Sequence, residues 1–164
     1  SADMLVRSYN MTYGLNTSIS VSSNNFGENQ HSEKFIPTVI NCIINKTPIP
    51  LYGDGSNVRD WLFVKDNCKM IDTIFNYAKS GSIYNVGAEN ELTNLQIIEI
   101  IFSIINELRP SELIINNVKD RPGHDFRYSL DINKFKSDFK VKKHKKFEEN
   151  LRKYIQTSFK IKKI

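Results

Sequence analysis

Short β-favouring runs alternate with apolar stripes of helical period along almost the whole chain, and this alternation constrains the fold more than any single motif. In order, the sequence predicts a helix ending at Tyr13, with Gly14 placed as its stop. A strand follows over 17–22, and a helix from about Glu33 or Lys34 carries the stripe Ile36, Val39, Ile40, Ile43 and Ile44. A short edge strand at Leu51-Tyr52 and a strand at Trp61-Leu62-Phe63-Val64 come next. The following helix takes Asp66 as its N-cap and turns Cys68, Ile71, Ile74, Phe75 and Ala78 inward. A strand over 83–86, a helix over 95–108 opened by a Thr93/Gln96 capping box, a strand over 113–118 and helices over 132–139 and 147–159 complete the order. Strands separated by helices argue for an α/β fold.

Composition narrows the class. The chain has 164 residues and is 40% hydrophobic, enough for one core. No apolar run approaches the roughly 20 residues that cross a bilayer. Ser1-Ala2-Asp3-Met4 lacks the basic head and apolar run of a signal peptide, so the expected compartment is the cytoplasm, with no membrane partner. Cys42 and Cys68 lie inside helical patterns with no C-x-x-C, and the three histidines are scattered. Two buried thiols and no metal site are expected. The net charge of +5 is a local effect: residues 1–130 hold 11 Lys and Arg against 14 Asp and Glu, whereas 131–164 hold 12 against 4. The tail also carries Phe147, Tyr154 and Phe159, but positions 147, 151, 154 and 155 make a helix stripe that faces a core rather than stacking bases. No nucleic-acid partner is expected.

Two stretches carry chemistry. In Asn57-Val58-Arg59-Asp60-Trp61, Arg59 stands at the mouth of a buried strand, as either a structural ion-pair partner or a fork for phosphate or carboxylate. Asp120-Arg121-Pro122-Gly123-His124-Asp125-Phe126-Arg127-Tyr128 gathers two arginines, a histidine and a tyrosine around a Pro-Gly turn. Two arginine-bearing turns are what a diphosphate needs. Asn24 and Asn25 end the first strand, either as amides where open α/β sheets bind ligands or as a plain turn. His31, in a polar loop, reads as solvent-facing. No Gly-x-Gly-x-x-Gly, Gly-x-x-Gly-x-x-Gly or P-loop pattern occurs, and no catalytic triad or carboxylate pair stands out.

Ser23-Asn24-Asn25-Phe26-Gly27, Glu33-Lys34-Phe35-Ile36-Pro37, Tyr52-Gly53-Asp54-Gly55 through Arg59-Asp60-Trp61-Leu62-Phe63-Val64, Tyr84-Asn85-Val86-Gly87 and the Asp120 loop, in this order, resemble the C-terminal half of the nucleotide-sugar (dTDP- or UDP-glucose) 4,6-dehydratases. These belong to the extended short-chain dehydrogenase/reductase family. The resemblance implies an α/β fold comprising the substrate-binding half, with the Rossmann half that holds NAD absent. Residues 1–25 would supply a helix end and strand of that Rossmann half, and 26–164 mainly the sugar-nucleotide-binding domain. In this family a hydride leaves sugar carbon 4 for NAD, water is lost across carbons 5 and 6, and the hydride returns to carbon 6, as in deoxysugar and rhamnose synthesis. The Tyr-x-x-x-Lys and Asp-Glu pairs that drive these steps are expected to precede Ser1, so no catalytic residue is assigned and the chain alone is expected to be inactive.

By resemblance, Asn24 contacts substrate and Asn25 lies beside the nicotinamide end of NAD. Glu33, Lys34 and Phe35 line the sugar-nucleotide cleft, and Pro50, Leu51 and Tyr52 flank the base. Arg59 takes the diphosphate and Asn94 is a further substrate contact. Asp120, Arg121, Pro122, Gly123 and His124 wrap the nucleotide, with Tyr128 close by. Asp60 and Asp125 either serve the site themselves or simply orient the arginines. Glu28-Asn29-Gln30 stands where the family usually has proline, which puts an acidic side chain on the loop that meets the sugar. Two alternatives remain: a non-catalytic sugar-nucleotide-binding or oligomerisation module, and a related UDP-sugar decarboxylase or 4-epimerase. A homodimer of the full-length protein, or association with the N-terminal half, is expected, because the first helix and strand should otherwise leave apolar surface bare.

Overall fold

The structure, a computed structural model, describes residues 1–140 and 147–160. Of the basic tail over 131–164, on which a nucleic-acid reading would rest, residues 141–146 and 161–164 lie outside the described residues. Six helices and eight strands are described: α1 Ala2–Tyr13, β1 Ile19–Ser22, β2 Asn24–Phe26, α2 Phe35–Asn45, β3 Ile49–Tyr52, β4 Val58–Phe63, α3 Val64–Tyr77, β5 Ile83–Val86, β6 Glu91–Thr93, α4 Asn94–Leu108, β7 Ile115–Val118, β8 Arg127–Tyr128, α5 Asn133–Phe139 and α6 Phe147–Ser158. The alternation expected of an α/β chain is present.

β4 is the strand on which the rest is hung. Its last three residues pair in parallel with β2, while its first residues lie between antiparallel β6 and parallel β8. Trp61 and Phe63 enter a large core with α2, α4, α6 and β3. Leu62, on the opposite face, enters a smaller core with Met70, Ile74, Tyr84, Val86 and Phe135. Successive strand side chains point to opposite faces, so a strand buried on both has no polar position to spare. This explains the unbroken Trp-Leu-Phe run, and each such side chain is worth about 1.5–3 kcal/mol of burial. Asp60, 1% exposed, is the exception and is satisfied: its carboxylate accepts the amides of Ala88 at 3.0 Å and Asn90 at 2.8 Å.

The other two sheets are parallel pairs, β1 with β5 and β3 with β7. Ser23 is where the chain leaves the first pair for β4's sheet: its amide still bonds the Val86 carbonyl at 3.0 Å, and the next residue pairs with Trp61. Asn24 and Asn25 therefore belong to a strand and not to a plain turn. Pro50 sits inside β3 because a two-stranded sheet has an open side that needs no donor.

α4 has the expected capping box, Thr93 with Gln96, and buries Ile97, Ile98, Ile101, Ile104, Ile105 and Leu108. α6 buries Phe147, Leu151, Tyr154 and Ile155, the stripe read from the sequence. α3 departs from expectation. β4 runs into it without a loop, so Phe63 is the N-cap, with no side-chain cap bond, and Asp66 falls in the first turn, where a negative charge suits the helix dipole. The inward face is Asp66, Met70 and Ile74, with Ala78 packed beside it. Cys68, Ile71 and Phe75 are exposed, Phe75 by 83%. They share a neighbouring stripe that no described element covers. Cys68 is thus not a buried thiol, whereas Cys42 is half-buried against the core, and both are free.

Candidate functional site

The residues named from the sequence fall into three groups joined by β4. At its start, Arg59 pairs across the sheet with Tyr128, and the preceding Asn57 accepts the Asn94 amide on its carbonyl at 3.1 Å. Arg59 is half-buried and lies within the strand, one residue beyond its first position. Its Nη1 donates to the Val58 carbonyl at 2.7 Å and its Nη2 to the Asp125 carbonyl at 2.8 Å. Among the described residues no carboxylate pairs with it. Neither neighbouring aspartate orients it through a carboxylate: that of Asp60 is spent on the 88–90 loop, and Asp125 offers its main chain.

The second group lies where β3 and β7 end together. Tyr52 pairs with Val118, and the Gly53 amide bonds the Val118 carbonyl at 3.0 Å. This brings the 119–126 loop against Tyr52. Arg121 stands 5.2 Å from the Tyr52 ring centre, and His124 presents an edge to that ring at 6.4 Å. His124 Nδ1 lies 2.7 Å from Asp120 Oδ1, and this bond holds the Asp120 carboxyl below the usual carboxylate range. Gly123, at φ 69, adopts the left-handed conformation that glycine takes without strain, and Pro122 fixes the residue before it. Tyr52 and Arg121 are exposed, so a ring face and a guanidinium are both open to a ligand. Leu51 is buried in the large core and can offer a ligand only its backbone; Pro50 is exposed beside it.

The third group is at the other end of β4. Asn24 lies opposite Trp61, whose ring stacks on Phe35 at 6.0 Å. Glu33 and Lys34, just before α2, are exposed. His31 is solvent-facing, as read, 3.7 Å from Glu33. The Asn25 amide nitrogen donates to the Ser23 carbonyl at 3.0 Å, while Asn25 Oδ1 and Ser23 Oγ are buried without a partner among the described residues. Glu28, on the loop that departs from the family pattern, is held at 2.7 Å by Lys65, which lowers its pKa.

Sequence reading missed three contributors. Asn57 donates to the Asp125 carbonyl at 3.3 Å. Its place two residues before Arg59, on the same side of the extended chain, was the available signal. Glu91 binds Arg127 through two hydrogen bonds, at 2.8 and 2.7 Å, and also accepts from Ser129 at 2.7 Å. The second arginine of the Asp120 stretch is therefore committed to the protein. Trp61 Nε1 is a buried donor with no partner among the described residues.

A nucleotide-sugar enzyme is the class that the sequence resemblance implied, and comparison with known proteins bears on it directly. A profile of the GDP-mannose 4,6 dehydratase family matches residues 1–154. The dTDP-glucose 4,6-dehydratase of Haemophilus influenzae is 39% identical over 95% of this chain and 48% of its own length. The low-salt glycan biosynthesis protein Agl12 of Haloferax volcanii is 46% identical over 83% of this chain and 43% of its own length. Among solved structures, dTDP-glucose 4,6-dehydratase from Bacillus anthracis in complex with NAD superposes with TM-score 0.85 at 38% identity, over 95% of this chain and 49% of that one. UDP-glucuronic acid 4-epimerase from Bacillus cereus, at 20% identity and TM-score 0.85, shares the fold. The architecture is that of the C-terminal half of an extended short-chain dehydrogenase/reductase. The chain belongs to the GDP-mannose 4,6-dehydratase family and resembles its dTDP-glucose 4,6-dehydratases. It spans about half the length of the curated relatives it matches.

Proposed function

We propose that this chain is the sugar-nucleotide-binding portion of an NAD-dependent 4,6-dehydratase that converts dTDP- or UDP-glucose to the 4-keto-6-deoxy sugar used in deoxysugar synthesis. The observation that carries the reading is Arg59. A half-buried guanidinium fastened to two main-chain carbonyls, with no carboxylate partner among the described residues, is a cation held ready for an anion. A diphosphate gains two parallel charge-assisted bonds from such a fork. Arg121 beside the exposed Tyr52 ring supplies a second cation and an aromatic face, suited to the nucleotide. Asn24 and Phe35 bound the sugar's end of the same strand, with Glu33 and Lys34 at its rim, while Asn94 lies beside Asn57 at the strand's start.

Ser23 and Asn25 fit the carboxamide end of NAD, because each has a buried oxygen lacking a donor. When bound, NAD takes up and returns the hydride. This chain's own residues hold and orient the sugar nucleotide; the acid and base groups belong to the nucleotide-binding half of the enzyme. α1, which buries no residue, is the face we assign to association with that half and to a homodimer of the whole enzyme, in the cytoplasm. The test is to supply dTDP-glucose or UDP-glucose with NAD to the polypeptide or complex containing this chain and to measure 4-keto product. Turnover of one of the two supports the reading. Turnover without loss of water, giving a 4-epimer, overturns it, as does decarboxylation of UDP-glucuronic acid with neither glucose nucleotide converted.

A further inference from the structure

Asn57 is 6% exposed and bonds both the 119–126 loop and the start of α4. Its Nδ2 donates to the Asp125 carbonyl at 3.3 Å, and the same oxygen accepts from Arg59 Nη2 at 2.8 Å. Asn57's own carbonyl takes the Asn94 amide at 3.1 Å, and the next amide, Val58, donates to the Phe126 carbonyl at 2.8 Å. One strand mouth thus fastens both the 119–126 loop and the start of α4. A carbonyl has two lone pairs and can serve two donors. The guanidinium has five N–H donors and spends two of them here; where a phosphate draws Nη2 off the Asp125 carbonyl, a part-buried carbonyl stripped of its partner costs free energy. With Asn57 in place the Asp125 carbonyl is never stripped.

We infer that Asn57 is a positioning residue that keeps Asp125, and with it the 119–126 loop, docked on β4 while Arg59 is drawn to an anionic ligand. Asn57 acts through the loop and does not itself touch the ligand. The inference rests on the proposed diphosphate site for what draws Arg59 away. The double fastening rests on the geometry alone.

Hydrogen exchange on the whole 164-residue chain tests it, reading the Val58 amide and the His124 amide, which bonds the Arg121 carbonyl at 3.2 Å. Arg59→Ala and Asn57→Ala, each alone, leave one fastening and keep exchange near the wild-type rate. The double variant speeds it at least about tenfold, the loss expected when both side-chain bonds to the Asp125 carbonyl are gone and only main-chain bonds such as Val58 to Phe126 hold the loop. Ile101 and Ile105 amides in the core of α4 stay protected, which shows that the fold is intact. Asn57→Gln in the Arg59→Ala background keeps a carboxamide donor and restores protection. The inference is overturned if the double variant exchanges no faster than Arg59→Ala, if Asn57→Ala alone undocks the loop, or if the glutamine gives no rescue. UDP and dTDP are then added to the wild-type chain. Binding of neither rejects the diphosphate site, and with it the draw on Arg59, whereas the exchange data report separately on the fastening.

Discussion

Arg59 illustrates how a cation is stored without a counter-ion. Carbonyl dipoles from Val58 and Asp125 solvate it in part, at a fraction of the attraction that a full carboxylate would exert. Removing one charged partner from a desolvated site costs roughly 2–5 kcal/mol of binding. A lysine keeps the charge but loses the planar fork. Arg59→Lys is therefore expected to weaken UDP or dTDP binding about tenfold, on the order of one lost charge-assisted bond, as read by competition titration. Gly87 shows a second residue-scale constraint, imposed by contact. A Cβ there would lie 2.5 Å from Asp60 Oδ2, the carboxylate that anchors the 88–90 loop. Gly87→Ala is expected to lower the chain's stability by about 1–3 kcal/mol, the usual cost of forcing an atom into a packed site, measured by urea unfolding.

Among the elements, α4 and β6 depend on local bonds whose worth can be tested singly. Thr93→Ala removes half of the α4 capping box and should cost about 1 kcal/mol of stability. β6 and β8, which flank β4, are tied together by Glu91, whose pKa Arg127 and then Ser129 draw down from 4.5 to about 2. A carboxyl with a lowered folded-state pKa stabilises the fold above its unfolded value, and that stability is lost as pH falls through the folded one. Protection of the β6 and β8 amides, taken relative to the intrinsic exchange rate at each pH, is thus expected to fall between pH 4.5 and about 2, and Glu91→Gln to abolish that dependence. The helices were legible because their stripes recur over three or four turns, as in Ile97 to Leu108. β2, β6 and β8 were not, because strands of two or three residues have no period to show and exist only through their partners on β4. The face of α3 was misjudged for a related reason. Cys68, Ile71 and Phe75 repeat at helical spacing, but the loop-free passage from Phe63 into Val64 turned Met70 and Ile74 to the sheet. Within the site, the Asp120 loop and Arg59 could be named from sequence, whereas the Asn57 bond to Asp125 joins residues 68 positions apart.

For the molecule as a whole, β4 ties a large core to a small one and carries the site along its length. The periphery is unfinished. α1 leaves Met4, Leu5, Tyr9 and Met11 exposed, Met11 by 82%, and no described helix is long and apolar enough to cross a membrane. Apolar surface on this scale is covered by protein in most folds, so sedimentation is expected to show species heavier than the 19.0 kDa chain; a monodisperse monomer would count against that. The central claim is that Arg59 and the 119–126 loop form a nucleoside diphosphate site. Calorimetric titration of dTDP and UDP into the chain and into its Arg59→Ala variant tests this most directly. Saturable binding of at least one nucleotide, lost or weakened at least about thirtyfold in the variant, is the predicted result. Binding of neither, or equal binding with and without the arginine, would contradict it.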